Sequence, residues 1–225
     1  MIQKKNRQPT NSELKEYALS NNLEISPGVH LISFNRDFDF IPGQVVKIAV
    51  DKTHSPRIYS ICSGNKDDEV SVLFNIKEDG FLTPKMATMI PGDKILVSQP
   101  YGSFTGTKEK AMLIATGTGI APFYCMIMSG LAKGKTLIHG VRFLSQFYFE
   151  DELEETLGEN YIRCCSAESS CNVYPGRVTD YLNQMESMPD AKYYLCGQAL
   201  MVVEVRDLLI KKGIGFENIM SEIYF

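Results

Sequence analysis

Paired cysteine spacings are missing from this chain of 225 residues. Its cysteines, Cys62, Cys125, Cys164, Cys165, Cys171 and Cys196, form no C-x-x-C pair, so no zinc or other metal site is signalled. The C-x4-C-x2-C run that holds a plant-type iron–sulfur cluster is missing as well. No apolar stretch approaches the roughly 18 residues of a membrane span, so no integral membrane segment is expected. The opening "MIQKKNRQPTNSE" is polar and lacks the apolar centre of a secretory leader. These absences predict reduced thiols in a cytoplasm, with packing as the role of the adjacent Cys164 and Cys165. Net positive charge is lacking too. The formal charge is −4, which argues against a nucleic acid partner on bulk electrostatics. What remains, 44% hydrophobic and 22% charged, is globular composition at a length that suits two modest domains.

The first half reads as short strands between turns. "GVHLISF" (28–34), "GQVVKIAV" (43–50), "PRIYSICS" (56–63), "EVSVLFNIK" (69–77) and "DKILVSQPYGSF" (93–104) are β-branched and partly alternating. Pro42-Gly43, Gly64-Asn65, Asp79-Gly80 and Pro91-Gly92 punctuate them, which predicts an antiparallel sandwich or small barrel. One helix interrupts, "PKMATMI", with Thr83 as its expected N-cap and Pro84 at its first position.

The character changes after the polar stretch "TGTKEKA" (105–111), the expected linker. "AMLIAT", "KTLIHGVR", "YIRCCSA" and "AKYYLCG" are each followed by a helical pattern. Four β-then-α units predict a doubly wound parallel sheet with helices on both faces. The expected division is an N-terminal extension over 1–14, a β-domain over 15–106 and an α/β domain over 107–225 with an aromatic tail.

Ligands of open parallel sheets bind at the carboxyl ends of the strands. The first such turn, "GTGIAPF" (117–123), has two glycines that let backbone approach a phosphate, and Pro122 opens the helix whose free N–H groups favour anions. Pro122 stands where a full G-x-G-x-x-G has its third glycine, and a plain strand-to-helix turn reads the same way. In the first half, "RIYS" puts Arg57 and Tyr59 on one face and Ser60 on the other. Arginine fits a phosphate bidentately and an aromatic can stack on a planar ring. "DGFLTP" (79–84) offers a second anion cradle. Together they suggest two nucleotides meeting at a domain cleft.

These motifs stand in the order of the ferredoxin–NADP(H) reductase superfamily, and the chain resembles its short bacterial ferredoxin/flavodoxin reductases from about residue 15 onward. "FIPGQVVKIAV" is similar to F-x-P-G-Q-F, "RIYSICS" to R-x-Y-S-x-x-S, and "DGFLTPKM" to the flavin-pyrophosphate turn. "QPYGSF", "ATGTGIAPF", "YLCGQALMV" and "SEIYF" resemble the family's later motifs. The resemblance implies a Greek-key antiparallel β-barrel that holds FAD, then an α/β domain that holds NADP(H). It implies that Arg57 and Ile58 belong to the FAD strand, with Arg57 on the pyrophosphate, Tyr59 on one flavin face and Ser60 near flavin N5. Phe74 and Ile76 would line the ring and ribityl chain, and Gly80, Phe81, Leu82 and Thr83 the pyrophosphate. Tyr224 would cover the second flavin face and Phe225 the adenine. Gly117, Thr118 and Gly119 would face the nicotinamide nucleotide, with Cys196 and Gly197 flanking the nicotinamide and Met201 completing that segment. Ser60, Cys196, Glu222 and Tyr224 would form the catalytic set, orienting and polarising while the flavin carries the redox chemistry.

The family's 2′-phosphate segment reads S-R-E or T-R-E; here it is Ser166, Ala167, Glu168. Arg142 and Arg177 match the flanking arginines. NADP(H) is expected, with more use of NADH than in typical relatives. The implied partner is a separate ferredoxin or flavodoxin, docked by Lys4, Lys5, Arg7, Lys52, Lys108 or Lys110, and the chain is expected to be a monomer. The alternative is an NADH-dependent reductase component for an oxygenase, haem protein or ferric complex. A third reading is an electron-transfer subunit of a larger complex; one such subunit with this fold, that of dihydroorotate dehydrogenase, carries a cysteine cluster that is missing here.

Overall fold

The computed structural model describes residues 14–224. The chain divides into two compact units, with the boundary between Thr105 and Gly106.

The first unit is one six-stranded antiparallel sheet built from β1 (Lys15–Ser26), β2 (Val29–Asn35), β3 (Val45–Ala49), β4 (Arg57–Ser60), β5 (Glu69–Asn75) and β6 (Lys94–Val97). The strand order is β4-β3-β6-β1-β2-β5. The two end strands meet through the Ile61–Val72 bridge and a Cys62 N–H to Ser71 carbonyl bond of 2.8 Å, which closes the sheet into a barrel. Crossings from β2 to β3 and from β5 to β6 give the Greek-key connections. Closure leaves no long free edge, and Ile32, Phe34, Ile48, Ile61, Met86 and Ile95 fill the interior with almost no exposure.

Strand β1 was not visible as a sequence pattern. Most of "KEYALSNNLEIS" is polar, and two register irregularities, at Leu19/Asn21 and Glu24/Ser26, break its alternation. The barrel's helix α1 (Leu82–Ala87) also departs from expectation. Phe81, not Thr83, is its N-cap, and no side chain caps it. Thr83 Oγ1 instead accepts the Lys77 N–H at 2.8 Å, tying the turn that precedes the helix.

The second unit is a six-stranded parallel sheet ordered β10-β9-β8-β7-β11-β12. Its strands are β7 (Ala111–Thr116), β8 (Lys135–Val141), β9 (Tyr161–Cys165), β10 (Val173–Pro175), β11 (Lys192–Gln198) and β12 (Ile219–Tyr224). "AMLIA" of β7 is wholly buried, as expected of a central parallel strand covered on both faces. Met112, Ile114, Ile138 and Leu195 on one face pack against α4 (Val178–Gln184) and α5 (Ala199–Lys211). The opposite face takes α3 (Glu150–Leu157), which packs on β8 and β9 with Leu153 and Leu157 buried. Helix α2 (Ala121–Met126) is shorter than "APFYCMIMSGLAKG" suggests. It widens into a π turn over 127–131, where Gly130 leaves helical geometry. The closing segment, read from sequence only as an aromatic tail, is the edge strand β12. Among the described residues, no helix is long and apolar enough to cross a membrane.

Candidate functional site

The parallel sheet grows outward from β7 to β10 and then returns to the other side of β7 with β11. That reversal makes the carboxyl ends of β7 and β11 the switch point at which such sheets bind ligands. The glycine turn 117–120 follows β7 there, and Cys196 and Gly197 lie near the end of β11. They interlock. A Cβ on Gly119 would collide with the Cys196 carbonyl and come within 2.6 Å of Gly197 Cα, and one on Gly197 would lie 2.8 Å from the Thr116 carbonyl. Gly117 has φ +53°, a left-handed conformation that costs glycine little. Gly119 and Gly197 thus let two backbone segments touch, while a Cβ on Gly117 would meet nothing within 4 Å, so that backbone borders open space. Open backbone at the switch point of the sheet fits the phosphates of a nicotinamide dinucleotide.

Cys196 and Glu222 are paired positions on β11 and β12, and Tyr224 pairs with Gln198. The Cys196 thiol is fully buried. Burial pushes its pKa well above the ordinary thiol value, the Glu222 charge adds to the rise, and a side-chain hydrogen bond with Tyr224 works against it. A buried thiol held neutral in this way is a poor nucleophile. Met201, in the first turn of α5, is part of the core cluster and nearly buried.

The turns after β8, β9 and β10 converge at the same end of the sheet. The Arg142 carbonyl accepts the Ala167 N–H at 3.0 Å, and the Val141 carbonyl accepts the Ser166 N–H at 3.1 Å. Gly176 donates to the Cys165 carbonyl at 2.8 Å, which seats Arg177 beside them as the N-cap of α4. Arg142, Ser166 and Arg177 are all exposed. The Glu168 carboxylate accepts the Leu144 N–H at 2.6 Å, which ties it to the turn after β8.

In the barrel unit, Tyr59 and Val46 are paired positions, as are Ser60 and Val45. Arg57 and Ile58 are exposed, Tyr59 is half-buried and Ser60 is buried. Burial raises the Tyr59 hydroxyl pKa above its ordinary range and the Arg57 charge opposes the rise. Phe74 lies edge-on to Tyr59 with ring centroids 6.2 Å apart, and its other neighbour is His30 at 5.6 Å. Ile76 follows β5, its N–H donating to the Gly28 carbonyl. Gly80 is exposed and closes a tight turn on the Lys77 carbonyl at 2.8 Å. Leu82 is buried, while Phe81 is exposed and carries more than a backbone role. His54 stacks on its ring at 3.5 Å and 13°, and Lys85 Nζ lies 5.5 Å from it. His54 is in turn bonded to Asp51 at 2.9 Å. Exposed Arg57 and the uncapped start of α1 supply cation and open N–H groups, which fits a flavin pyrophosphate.

Sequence reasoning missed the His54–Asp51–Lys85 brace around Phe81; the "THSP" loop before β4 was its one signal. It also missed His139, buried in β8 within the "HGVR" stretch that was noted only for Arg142. Phe225, Lys4, Lys5 and Arg7 lie outside the described residues. Among the described residues, no group of His, Cys, Asp or Glu could hold a metal ion.

Residues 113–207 match the oxidoreductase NAD-binding domain family. The chain is 28% identical over 221 residues to the toluate 1,2-dioxygenase electron transfer component of Pseudomonas putida, covering 91% of this chain and 66% of that one, just under two thirds. It is 27% identical to a ferredoxin–NADP reductase of Pseudomonas aeruginosa, covering 84% of this chain and 85% of that one. Its fold is similar to the crystal structure of a ferredoxin NADP+ reductase from Neisseria gonorrhoeae with bound FAD and NADP, at TM-score 0.83 and 23% identity, over 95% of this chain and 99% of that one.

Proposed function

We propose that this chain is a member of the ferredoxin–NADP(H) reductase family, a flavoenzyme moving electrons between NADP(H) and a one-electron carrier, a ferredoxin or flavodoxin. The observation that carries this reading is the close fit of the Gly117–Ile120 turn against Cys196 and Gly197 of β11, at the switch point of the parallel sheet. Bound FAD supplies the exchange between hydride and single electrons.

The residues would divide the work as follows. Arg57 and the open start of α1 hold the flavin pyrophosphate, and Gly80, Phe81, Leu82 and Thr83 shape that turn. Tyr59 packs on the flavin ring, and Phe74 and Ile76 support it. Gly117, Thr118 and Gly119 hold the nicotinamide nucleotide, while Cys196 and Glu222 orient the nicotinamide and Ser60 donates to the flavin. Arg142, Ser166 and Arg177 bind the 2′-phosphate. Positioning of this kind is the protein's main contribution, since a displacement of about 1 Å can cost roughly 100-fold in rate. The exposed lysines Lys52, Lys108 and Lys110 are the docking candidates for an acidic carrier. The reading includes a reducing cytoplasm, which the buried free thiols suit, and a monomer.

A second reading has its own observation. Ala167 stands between Ser166 and Glu168 where an arginine would meet the 2′-phosphate. That favours an NADH-dependent reductase component for an oxygenase, and the P. putida relative is named as the electron transfer component of a dioxygenase. Stopped-flow reduction of the flavin-loaded protein with NADPH and NADH, followed by addition of ferredoxin or flavodoxin, tests both. Faster reduction by NADPH with onward transfer to the carrier is expected. A preference for NADH would move the assignment to the second reading, and a chain that binds no flavin would end both.

A further inference from the structure

Strand β8 carries a histidine that none of these roles uses. His139 is fully buried. The pairs Ala115–His139 and Thr116–Gly140 set it one residue short of the level at which β7 gives way to Gly117. Strand β8 packs against that turn. The imidazole has three neighbours of different kinds. Nδ1 is 3.0 Å from the Tyr161 hydroxyl. The Phe147 ring stands nearly edge-on at 5.4 Å. Nε2 is buried with no partner in hydrogen-bond geometry, yet the Gly117 backbone lies close enough to favour a proton on the ring.

An unpaired buried nitrogen is costly, and an apolar side chain of similar size would avoid the cost. The tautomer follows from the partners. Burial and the Glu150 charge keep the Tyr161 hydroxyl protonated, so it is able to donate to Nδ1. A neutral ring that accepts there carries its own proton on Nε2. A backbone group that favours ring protonation is a carbonyl, so the Gly117 carbonyl is the group placed to accept a proton from the ring.

We propose that His139 is a positioning residue for the nucleotide turn, its Nε2–H donating to the Gly117 carbonyl when a nicotinamide dinucleotide settles the turn. The contact holds Gly117 in its left-handed conformation and links it through His139 to Tyr161 on β9. This rests on the reading that the turn takes a nicotinamide nucleotide. His139 itself touches neither nucleotide nor flavin.

The test uses the flavin-loaded protein, with NADP+ and NAD+ as probes. In 15N-histidine spectra the ring is expected to be neutral with the proton on Nε2, and that proton to shift downfield when nucleotide is added. His139→Leu is expected to raise the KM for the nicotinamide nucleotide about tenfold, the loss of roughly one buried hydrogen bond. Its kcat and flavin content stay near those of the parent, and His139→Gln, which keeps an N–H donor, recovers most of the KM. A proton on Nδ1, or a folded His139→Leu protein with unchanged KM, would overturn the inference while leaving the enzyme reading intact. If the parent protein binds neither NADP+ nor NAD+, both fall. Should His139→Leu fail to fold, the tautomer and the His139→Gln affinity decide the matter.

Discussion

Cys196 and Glu222 face each other across parallel strands β11 and β12, a fully buried thiol beside a carboxylate. The pairing makes the thiolate doubly unfavourable, since burial and a like charge both oppose ionisation. Cys164 is in a similar state, pushed up to about 12 mainly by burial. Cys171 alone is exposed among the described cysteines. Brief iodoacetamide treatment of the native protein at pH 8, read by peptide mass spectrometry, is therefore expected to modify Cys171 and leave Cys196 and Cys164 unmodified. Rapid labelling of Cys196 would mean that β11 and β12 separate readily, and the orienting role given to the thiol would then fail.

The contact between Gly119 and Cys196 leads to a second expectation. A methyl group at residue 119 meets backbone on the far side, which cannot rotate away. Overpacking of this kind costs roughly 1–3 kcal/mol. Gly119→Ala is expected to lower the melting temperature and to weaken nicotinamide nucleotide binding at least tenfold, while the barrel unit keeps its flavin. Unchanged nucleotide affinity in equilibrium titration would remove the turn from the binding site.

Ala167 allows a gain-of-function experiment. Its N–H is committed to the Arg142 carbonyl, so the backbone at this position is already fixed next to Arg142. An arginine here would add one charge-assisted bond to a phosphate, worth about 1.5–3 kcal/mol. Ala167→Arg is expected to raise kcat/KM for NADPH tenfold or more and to leave NADH nearly unaltered. Arg142→Ala should move the ratio the other way. Equal changes for both nucleotides would show that this corner of the sheet does not read the 2′-phosphate.

Much of the fold was legible because the sequence patterns were local. The all-apolar "AMLIA" and the repeated strand-then-helix order announce a parallel sheet, and evenly spaced turns announce the barrel. What stayed hidden depends on distant partners. Strand β1 is mostly polar and acquires its identity only by pairing with β2 and β6. The start of α1 was misjudged because Thr83 resembles an N-cap, whereas its hydroxyl serves a backbone group six residues earlier. At the site, motif residues such as Gly119 and Cys196 could be named from sequence, but the reason for Gly119 lies 77 residues away, in the Cys196 backbone. His139 was overlooked because a lone histidine in an apolar strand has no pattern. Its meaning comes from Tyr161 and Gly117, neither of which is near it in sequence.

That histidine also gives the unit a pH dependence whose sign is fixed. Burial depresses the His139 pKa from 6.5 to about 3, with the Gly117 backbone opposing. Between these values the unfolded chain binds a proton that the folded chain refuses. Stability is therefore complete above pH 6.5 and falls as pH falls toward 3. At pH 5 the loss from this one group is on the order of 2 kcal/mol, from 1.5 pH units at about 1.36 kcal/mol each. Glutamine at this position does not titrate. Urea unfolding of the parent and of His139→Gln at pH 7, 6 and 5 should give stability curves that converge as pH falls, since the titrations of all other groups cancel in the difference. Parallel curves would mean that His139 is protonated in the folded protein, and the Nε2–H contact to Gly117 would then be one made by an imidazolium.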